Sequence, residues 1–333
     1  MRKLMIAALM LLGTSAAFAG DSEPLKAILK AKTYADAETL LKTNLSQLAN
    51  DAEKAKAYNK LVDLAMEKVT KEQGTITSNQ MAKQFGQGKE VAYDTTGYNN
   101  ALFDAINSAI ACNEFDQKPN DGGKIKPKFE SSNATRLYGL RANLINAGQA
   151  AGQKNDQATA LKYFGMYVET SVNPLFKSID RTKTPDQYLG EVARVASVYA
   201  FQNKQMDLAN KYVDVAMKDT AVYKDALNLK MYLMQQNLKS KADSLQYVET
   251  LKGLYAKDSK NDQIFATIVN MYGSLKMTAE QDKVIADKLA AEPDNSIAWA
   301  LKGQNFMNAS KSEQAVDCFK KAIVKDDKNV VVL

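Results

Sequence analysis

Large apolar residues recur in pairs, seven positions apart, along the last third of the chain. The pairs are Met231 with Leu238, Phe265 with Tyr272, and Trp299 with Phe306. Residues seven apart lie on one face of an α-helix, so each pair predicts a helix that buries one apolar face. The pairs begin at a constant interval, from 231 to 265 and from 265 to 299, and this regular spacing predicts a repeated structural unit.

Polar turn segments recur at the same interval and separate the helices. Residues 257–261, 291–295 and 325–329 each contain an acidic residue, a turn-forming residue and an Asn. Asn tolerates the left-handed backbone region, and the ring of Pro293 fixes φ, so such segments end helices. The pattern therefore predicts units that are bounded by turns and contain helices between them.

The last unit carries a motif of small and aromatic positions. The motif reads W-x2-L-G-x2-Y, then A-x3-F, then a Pro. The residues that follow it are Trp299, Gly303, Phe306, Ala315, Phe319 and Ala322. The unit departs from the motif at Lys302, where Leu is usual, and at Asp327, where Pro is usual. In these residues the chain resembles the tetratricopeptide-repeat family.

The resemblance implies an all-α fold, a right-handed superhelical solenoid of antiparallel helix pairs. Two earlier segments keep the motif more loosely, with Gly148 before Phe164 in one and Ala196 before Tyr212 in the other. In the second segment, Leu208 takes the small-residue position. The predicted solenoid covers residues 133–333, with units at about 141–170, 189–218, 228–261, 262–295 and 296–329.

The preceding region, residues 20–132, has helical periodicity but no clear repeat. Helices are predicted over 34–48, 52–71 and 98–111. Residues 74–97 contain four glycines and are predicted to be a loop with at most one short helix, and 113–128 a second loop with a strong turn signal. Residues 171–187 are predicted to be an insertion. The region is interpreted as degenerate repeats with loop insertions, and a separate helical cap is the alternative.

The segment 1–19 has the three parts of a secretory signal peptide. Arg2 and Lys3 make a basic start, residues 4–12 are apolar, and Ala17-Phe18-Ala19 closes the segment. We expect cleavage after Ala19 and a periplasmic or secreted location. Because no later segment is long and apolar enough to span a bilayer, we expect no integral membrane segment in the mature chain.

The composition excludes several kinds of chemistry. The chain has no His and only two cysteines, Cys112 and Cys318, which excludes His-dependent catalysis and His-ligated or Cys-rich metal sites. The two cysteines are interpreted as small buried hydrophobic residues rather than a disulfide. The formal net charge of +6 comes from interspersed Lys and acidic residues, so no nucleic-acid partner is predicted. We expect a non-enzymatic protein without cofactor or metal.

In the family, the first helices of the pairs line a concave face that binds peptides or proteins. The resemblance places one column of polar residues on that face, with Arg194 and Tyr232 beside it. The column consists of Gln149, Ser197, Gln236, Asn270 and Gln304. Side-chain amides both donate and accept hydrogen bonds, so the column is a hypothetical site for an extended peptide backbone. The alternative is that these are ordinary solvated positions.

The predicted function is an exported scaffold or adaptor that binds a peptide or protein partner. A periplasmic or outer-membrane-associated solute or glycan binder is the alternative, because the fifteen tyrosines could stack on sugars. No polar capping helix follows the last repeat, so its end is predicted to permit self-association. Local coverage by residues 330–333 is the alternative there.

Overall fold

A computed structural model describes residues 20–86, 89–120 and 122–325. Every regular element in these ranges is helical. The α-helices are α1 Glu23–Lys30, α2 Tyr34–Asn44, α3 Asp51–Phe85, α4 Thr95–Asp116, α5 Glu130–Tyr138, α6 Asn143–Gln153, α7 Gln157–Thr170, α8 Leu189–Gln202, α9 Met206–Ala216, α10 Tyr223–Gln236, α11 Lys241–Lys257, α12 Asp262–Ser274, α13 Thr278–Ala291, α14 Ser296–Asn308 and α15 Ser312–Lys325. None of these helices is long and apolar enough to cross a membrane. The predicted signal peptide and residues 326–333 lie outside the described ranges, so the cleavage site and the uncapped end stay predictions.

The chain divides into two compact units, one ending at Leu227 and the other beginning at Asn228. In the first unit α6 packs on α7 and α8 packs on α9, and in the second α12 packs on α13 and α14 on α15. These pairs confirm the predicted all-α fold of tetratricopeptide-like helix pairs. The handedness of a superhelix and the predicted domain boundary after residue 132 stay predictions.

Four helix pairs share the same turn between their two helices. In each turn one residue that is not Gly has a positive φ of 57–60°, and the next backbone N–H donates to the carbonyl five residues earlier. This is the Schellman arrangement that ends a helix. The four positive-φ residues are Asn155, Lys204, Lys276 and Ser310. Their recurrence places the pairs in one structural register.

The position seven residues before each of these turns is buried and contacts the second helix of the pair. Gly148 and Gly303 occupy it in two pairs, and an added Cβ would lie 2.7 Å from the Phe164 ring and 2.5 Å from the Phe319 ring. Such a distance leaves no room for a methyl group, so the absent side chain lets the aromatic ring pack on the first helix. The sequence motif predicted this close approach.

We expect Gly303→Ala to destabilise the second unit by about 1 kcal/mol. The methyl group would overpack against Phe319 at a cost of roughly 1–3 kcal/mol, which exceeds the gain of about 0.5–1 kcal/mol from replacing a helical Gly by Ala. Gly253 lies inside α11 with no atom within 4 Å of an added Cβ, so Gly253→Ala should stabilise the protein instead. Urea denaturation of both variants tests this, and equal signs would contradict it.

Two predicted loops are shorter in the structure than in the sequence interpretation. Helix α3 continues for 35 residues to Phe85, so the prediction of a loop over 74–97 is wrong for its first half. Gly74 is an exposed helical residue with open space around its Cα, and its cost is only about 1 kcal/mol. The helix ends at Gly86, which has φ +65°. Similarly, α4 extends to Asp116, and its last turn occupies the start of the second predicted loop.

Both cysteines are buried, free thiols, as predicted. Cys112 donates to the Ala55 carbonyl at 3.2 Å. Burial raises the pKa of the Cys112 thiol to about 12, so the thiolate that reacts with oxidants is absent at neutral pH.

Candidate functional site

A groove of about 410 Å³ lies in the first unit between the first helices of two pairs. Each wall is a helical stripe with the spacing i, i+3, i+4, i+7, which puts four residues on one face. One wall consists of Ala142, which precedes α6, with Ile145, Asn146 and Gln149, and the other of Tyr188, which precedes α8, with Glu191, Val192 and Val195. Phe164 of α7 closes the groove, where its ring stacks on Tyr199 with centroids 5.7 Å apart.

The groove combines an apolar base with polar groups along its walls. Tyr188 is 54% exposed and precedes the first residue of α8, so much of its ring is open to a ligand. Asn146 and Gln149 are exposed amides, each able to donate and accept hydrogen bonds. The groove can therefore bury an apolar side chain of a bound peptide while its amides form hydrogen bonds with the backbone of that peptide.

A carboxylate and a guanidinium define the charge of one wall. The Arg194 guanidinium donates to both oxygens of Glu191, at 2.9 and 2.6 Å. These hydrogen bonds hold the pKa of Glu191 below its ordinary value, so the carboxylate is ionised at neutral pH. Arg194 thus lies next to the groove, as a partner of a residue that lines it.

The structure brings one member of the predicted column, Gln149, into this groove. Ser197, predicted at the same position in the next pair, is instead fully buried and donates to the Ala209 carbonyl at 2.8 Å. The prediction that Ser197 is presented to a ligand on the concave face is wrong, because its side chain is buried. Ser197 lies seven residues before the Lys204 turn, so it occupies the close-approach position of Gly148.

The structure therefore shifts the motif alignment of the pair α8–α9 by one residue, because Ser197 and not Ala196 is equivalent to Gly148. Ala209 is fully buried, and the step along the chain from Ser197 to Ala209 equals the step from Gly148 to Ala160. Ala209, rather than Leu208, is the small residue of the second helix. The residue equivalent to Gln149 is Val198, which is half-buried. The polar column is interrupted at this pair because its member there is apolar.

The other predicted residues belong to the second unit. Tyr232 is 46% exposed, and Gln236, Asn270 and Gln304 are also exposed. The Gln304 amide donates to the Asn308 side chain at 3.3 Å, within its own helix. Their exposure is compatible with ligand contact and equally with plain solvation, so their role stays a prediction.

Sequence reasoning missed most of the groove. It included Gln149 and Arg194 but omitted the stripe from Tyr188 to Val195. The signal was present, because both stripes have the i, i+3, i+4, i+7 spacing. The predicted insertion ends at 187 and the predicted unit begins at 189, so Tyr188, the first residue of the second stripe, belongs to neither.

Within the described ranges, no three His, Cys, Asp or Glu side chains form a group that could hold a metal ion. The charged pair at the groove is an ion pair, and the residues that line the groove include no nucleophile paired with a base. These side chains can bury apolar groups and form hydrogen bonds, which are the functions of a binding site.

Comparisons with known proteins give distant structural similarities only. No family model matches the chain, and no curated protein sequence matches it. A crystal structure of MamA protein aligns with a TM-score of 0.36 and 12% identity, over 56% of this chain and 92% of that chain. A second MamA structure has a TM-score of 0.35 and 13% identity, over 54% and 95%. The P58(IPK) TPR domain has a TM-score of 0.24 and 11% identity, over 92% and 93%.

The class of protein is evident from the chain's own geometry. Consecutive helix pairs, the recurring Schellman turn and the aromatic rings packed on Gly148 and Gly303 make a tetratricopeptide-like helical repeat protein. A repeat of this kind stacks helix pairs so that their first helices form an extended binding surface.

Proposed function

We propose that this protein is an exported, non-enzymatic scaffold that binds an extended peptide segment of a partner protein in the α6–α8 groove. The observation that carries the proposal is the pair of facing helical stripes, apolar at the base and amide-bearing at the edge. A peptide could insert one apolar side chain beside Ile145 and Val195 and bond its backbone to Asn146 and Gln149. Binding of peptides by helical repeats uses such extended surfaces.

Export to the periplasm or outside the cell is part of the same proposal. It is supported by the basic start, the apolar run and the Ala17-Phe18-Ala19 close of the segment 1–19. An interaction scaffold rather than an enzyme is supported by the absence of His from the sequence and by the composition of the groove walls.

The groove is tested by selecting short peptides from a random library on the full-length protein and titrating them by calorimetry. We expect selected peptides to share an apolar anchor and to bind at least tenfold more weakly to the triple variant Asn146→Ala, Gln149→Ala, Tyr188→Ser. Loss of one anchor contact and two amides removes roughly 1.4 kcal/mol or more, which corresponds to that factor.

The matched control replaces two amides and a tyrosine that do not line the groove. Gln153→Ala, Gln202→Ala and Tyr93→Ser are exposed positions of the same unit and should leave affinity unchanged. If the groove variant and the control bind the peptides equally, the proposed site is wrong. If the protein selects no peptide but binds oligosaccharides, the proposed ligand class is wrong.

A further inference from the structure

A second concavity, of about 460 Å³, lies in the first unit where the α4–α5 connection faces the start of α3. Its charged lining is dominated by lysines. The lysines are Lys54, Lys118, Lys124, Lys126 and Lys128, and the acidic residues of the described lining are Asp51 and Asp116. The concavity is separate in sequence from the groove between α6 and α8 and shares no residue with it.

The connection that carries four of these lysines is held by hydrogen bonds from two polar side chains. The Asp116 carboxylate accepts from the backbone N–H groups of Lys128, Phe129 and Glu130, at 2.7–3.2 Å. The Asn120 Oδ1 accepts from the backbone N–H groups of Gly122 and Lys124, at 3.0 and 3.1 Å. These hydrogen bonds fix the backbone at Lys124 and Lys128, and Lys124, Lys126 and Lys128 all line the concavity.

The two acidic residues of the described lining leave most of its lysines without a carboxylate partner. Asp116 is occupied by backbone amides, and Asp51 lies 3.0 Å from the Lys54 Nζ and 3.7 Å from the Lys118 Nζ. Among the described residues, no carboxylate oxygen lies within 4.0 Å of the Nζ of Lys124, Lys126 or Lys128. Several ammonium groups that line one concavity give it a positive potential, which attracts an anion.

An aromatic ring orders the other two lysines. The Phe115 ring stacks on Tyr58 with centroids 5.7 Å apart. The Nζ atoms of Lys54 and Lys118 lie 5.3 and 4.7 Å from the Phe115 centroid, within the range of cation–π attraction. Phe115 itself lines the concavity, so two ammonium groups lie beside its aromatic wall.

We propose that this concavity binds a small multivalent oxyanion, a molecule with two or more closely spaced phosphate or carboxylate groups. Lysine ammonium groups are compact point charges on flexible stems and bind such oxygens without a fixed geometry. The volume is in the range of small-molecule sites and exceeds that of one phosphate group, which matches a ligand with several charges. A concave site favours a soluble ligand over a flat membrane surface.

The proposal is tested by calorimetry on the full-length protein at low salt, with tripolyphosphate and citrate as probes. We expect one or both to bind with one-to-one stoichiometry and with an affinity that falls as salt is raised. Replacing Lys124, Lys126 and Lys128 together by Gln should weaken binding at least about tenfold, because three ammonium groups leave the site. The corresponding triple Arg variant should restore most of the affinity.

The matched control replaces Lys30, Lys32 and Lys154 by Gln, which changes the net charge equally at exposed positions outside the concavity. Equal weakening in the control and the site variant would overturn the proposal, since binding would then follow net charge alone. Wild-type protein that binds neither probe at low salt would overturn it too. Sedimentation with phosphatidylglycerol vesicles distinguishes a soluble anion from a lipid headgroup as the ligand. Vesicle binding without probe binding would indicate a membrane surface and contradict a small-molecule site.

Discussion

Replacing Arg141 by Met is expected to lower the free energy of unfolding of the first unit by about 3–5 kcal/mol, the usual cost of removing one partner of a buried ion pair. The Arg141 side chain is 1% exposed and that of its partner Asp186 is 13% exposed. Removing the guanidinium leaves two uncharged acceptors without their donor and the Asp186 carboxylate with only the partly exposed Arg181 as a cation, in a place that water reaches poorly. This is the largest single-residue effect that we expect.

The reason is that Arg141 satisfies several groups at once. Its Nη1 donates to both oxygens of Asp186, at 3.0 and 3.2 Å. Its Nε donates to the Thr170 Oγ1 at 2.7 Å and its Nη2 to the Tyr167 carbonyl at 2.9 Å. The guanidinium also lies 4.9–5.5 Å from three ring centroids, those of Tyr138, Tyr167 and Phe176. Arg141 thus connects the inserted segment 171–187, through Asp186, to α7 of the preceding helix pair.

The measurement is chemical denaturation of the wild type and two variants. Arg181 also donates to Asp186, at 2.7 Å, but its side chain is 35% exposed. Arg181→Met should therefore cost no more than about 1 kcal/mol. Similar losses for the two variants would show that burial of Arg141 does not determine its contribution.

Replacing Lys288 by Met is expected to destabilise the second unit by about 2–3 kcal/mol, somewhat less than the usual cost of breaking a fully buried pair. The side chain is 1% exposed, with its Nζ 2.8 Å from Glu292 and 3.2 Å from Asp262, and it donates to the Ser259 carbonyl at 3.1 Å. The loss should be smaller than for Arg141, because both carboxylates are about one-third exposed and water can partly solvate them after the substitution.

The pH dependence of the Lys288 effect has a defined sign. Burial opposes the charged form, but the contacts with the Glu292 and Asp262 carboxylates outweigh it and raise the pKa of Lys288 above its ordinary 10.5. A group whose pKa is higher in the folded chain than in the unfolded chain stabilises the fold fully at pH values below its unfolded pKa. This stabilisation is lost as the pH rises through its folded pKa. The difference between wild type and variant should therefore be constant near neutral pH and shrink above about pH 10.5.

A control for this prediction lies on the same helix. Lys283 pairs with Asp287 at 2.7 Å, with side chains 73% and 65% exposed. Lys283→Met should change stability by less than about 0.5 kcal/mol at any pH. A loss that matches that of Lys288→Met would mean that the buried contacts contribute nothing beyond an exposed pair.

Local sequence features determined much of the fold. The pairs of apolar residues seven apart predict α12 and α14, because a helix places such residues on one face. The small residue Gly303 and the aromatic Phe319, which follows it in the motif, predict the contact between α14 and α15. These features depend on helical geometry within one unit, and sequence spacing alone is enough to express them.

Tertiary structure decided the features that depend on packing between segments. Nothing in the residue types around Ser197 shows that it occupies the buried close-approach position, since that depends on where the Lys204 turn ends α8. The left-handed turns themselves use Asn, Lys and Ser, whose sequence signal is weaker than that of Gly. Helix α3 passes through Gly74 because a long helix tolerates one unfavourable residue.

In both candidate sites, the sequence determined the helices and the tertiary structure determined which side chains lie together. The groove depends on two stripes that lie about forty residues apart in the sequence, on either side of α7 and the inserted segment, so only the folded chain makes them neighbours. The basic concavity joins Lys54 of α3 with lysines of the distant α4–α5 connection, three of which are separated in the sequence by Ile125 and Pro127. Sequence by itself determined the helices and their repeat, because periodicity is local. Only the tertiary structure decided which side chains converge, because convergence depends on contacts between distant segments.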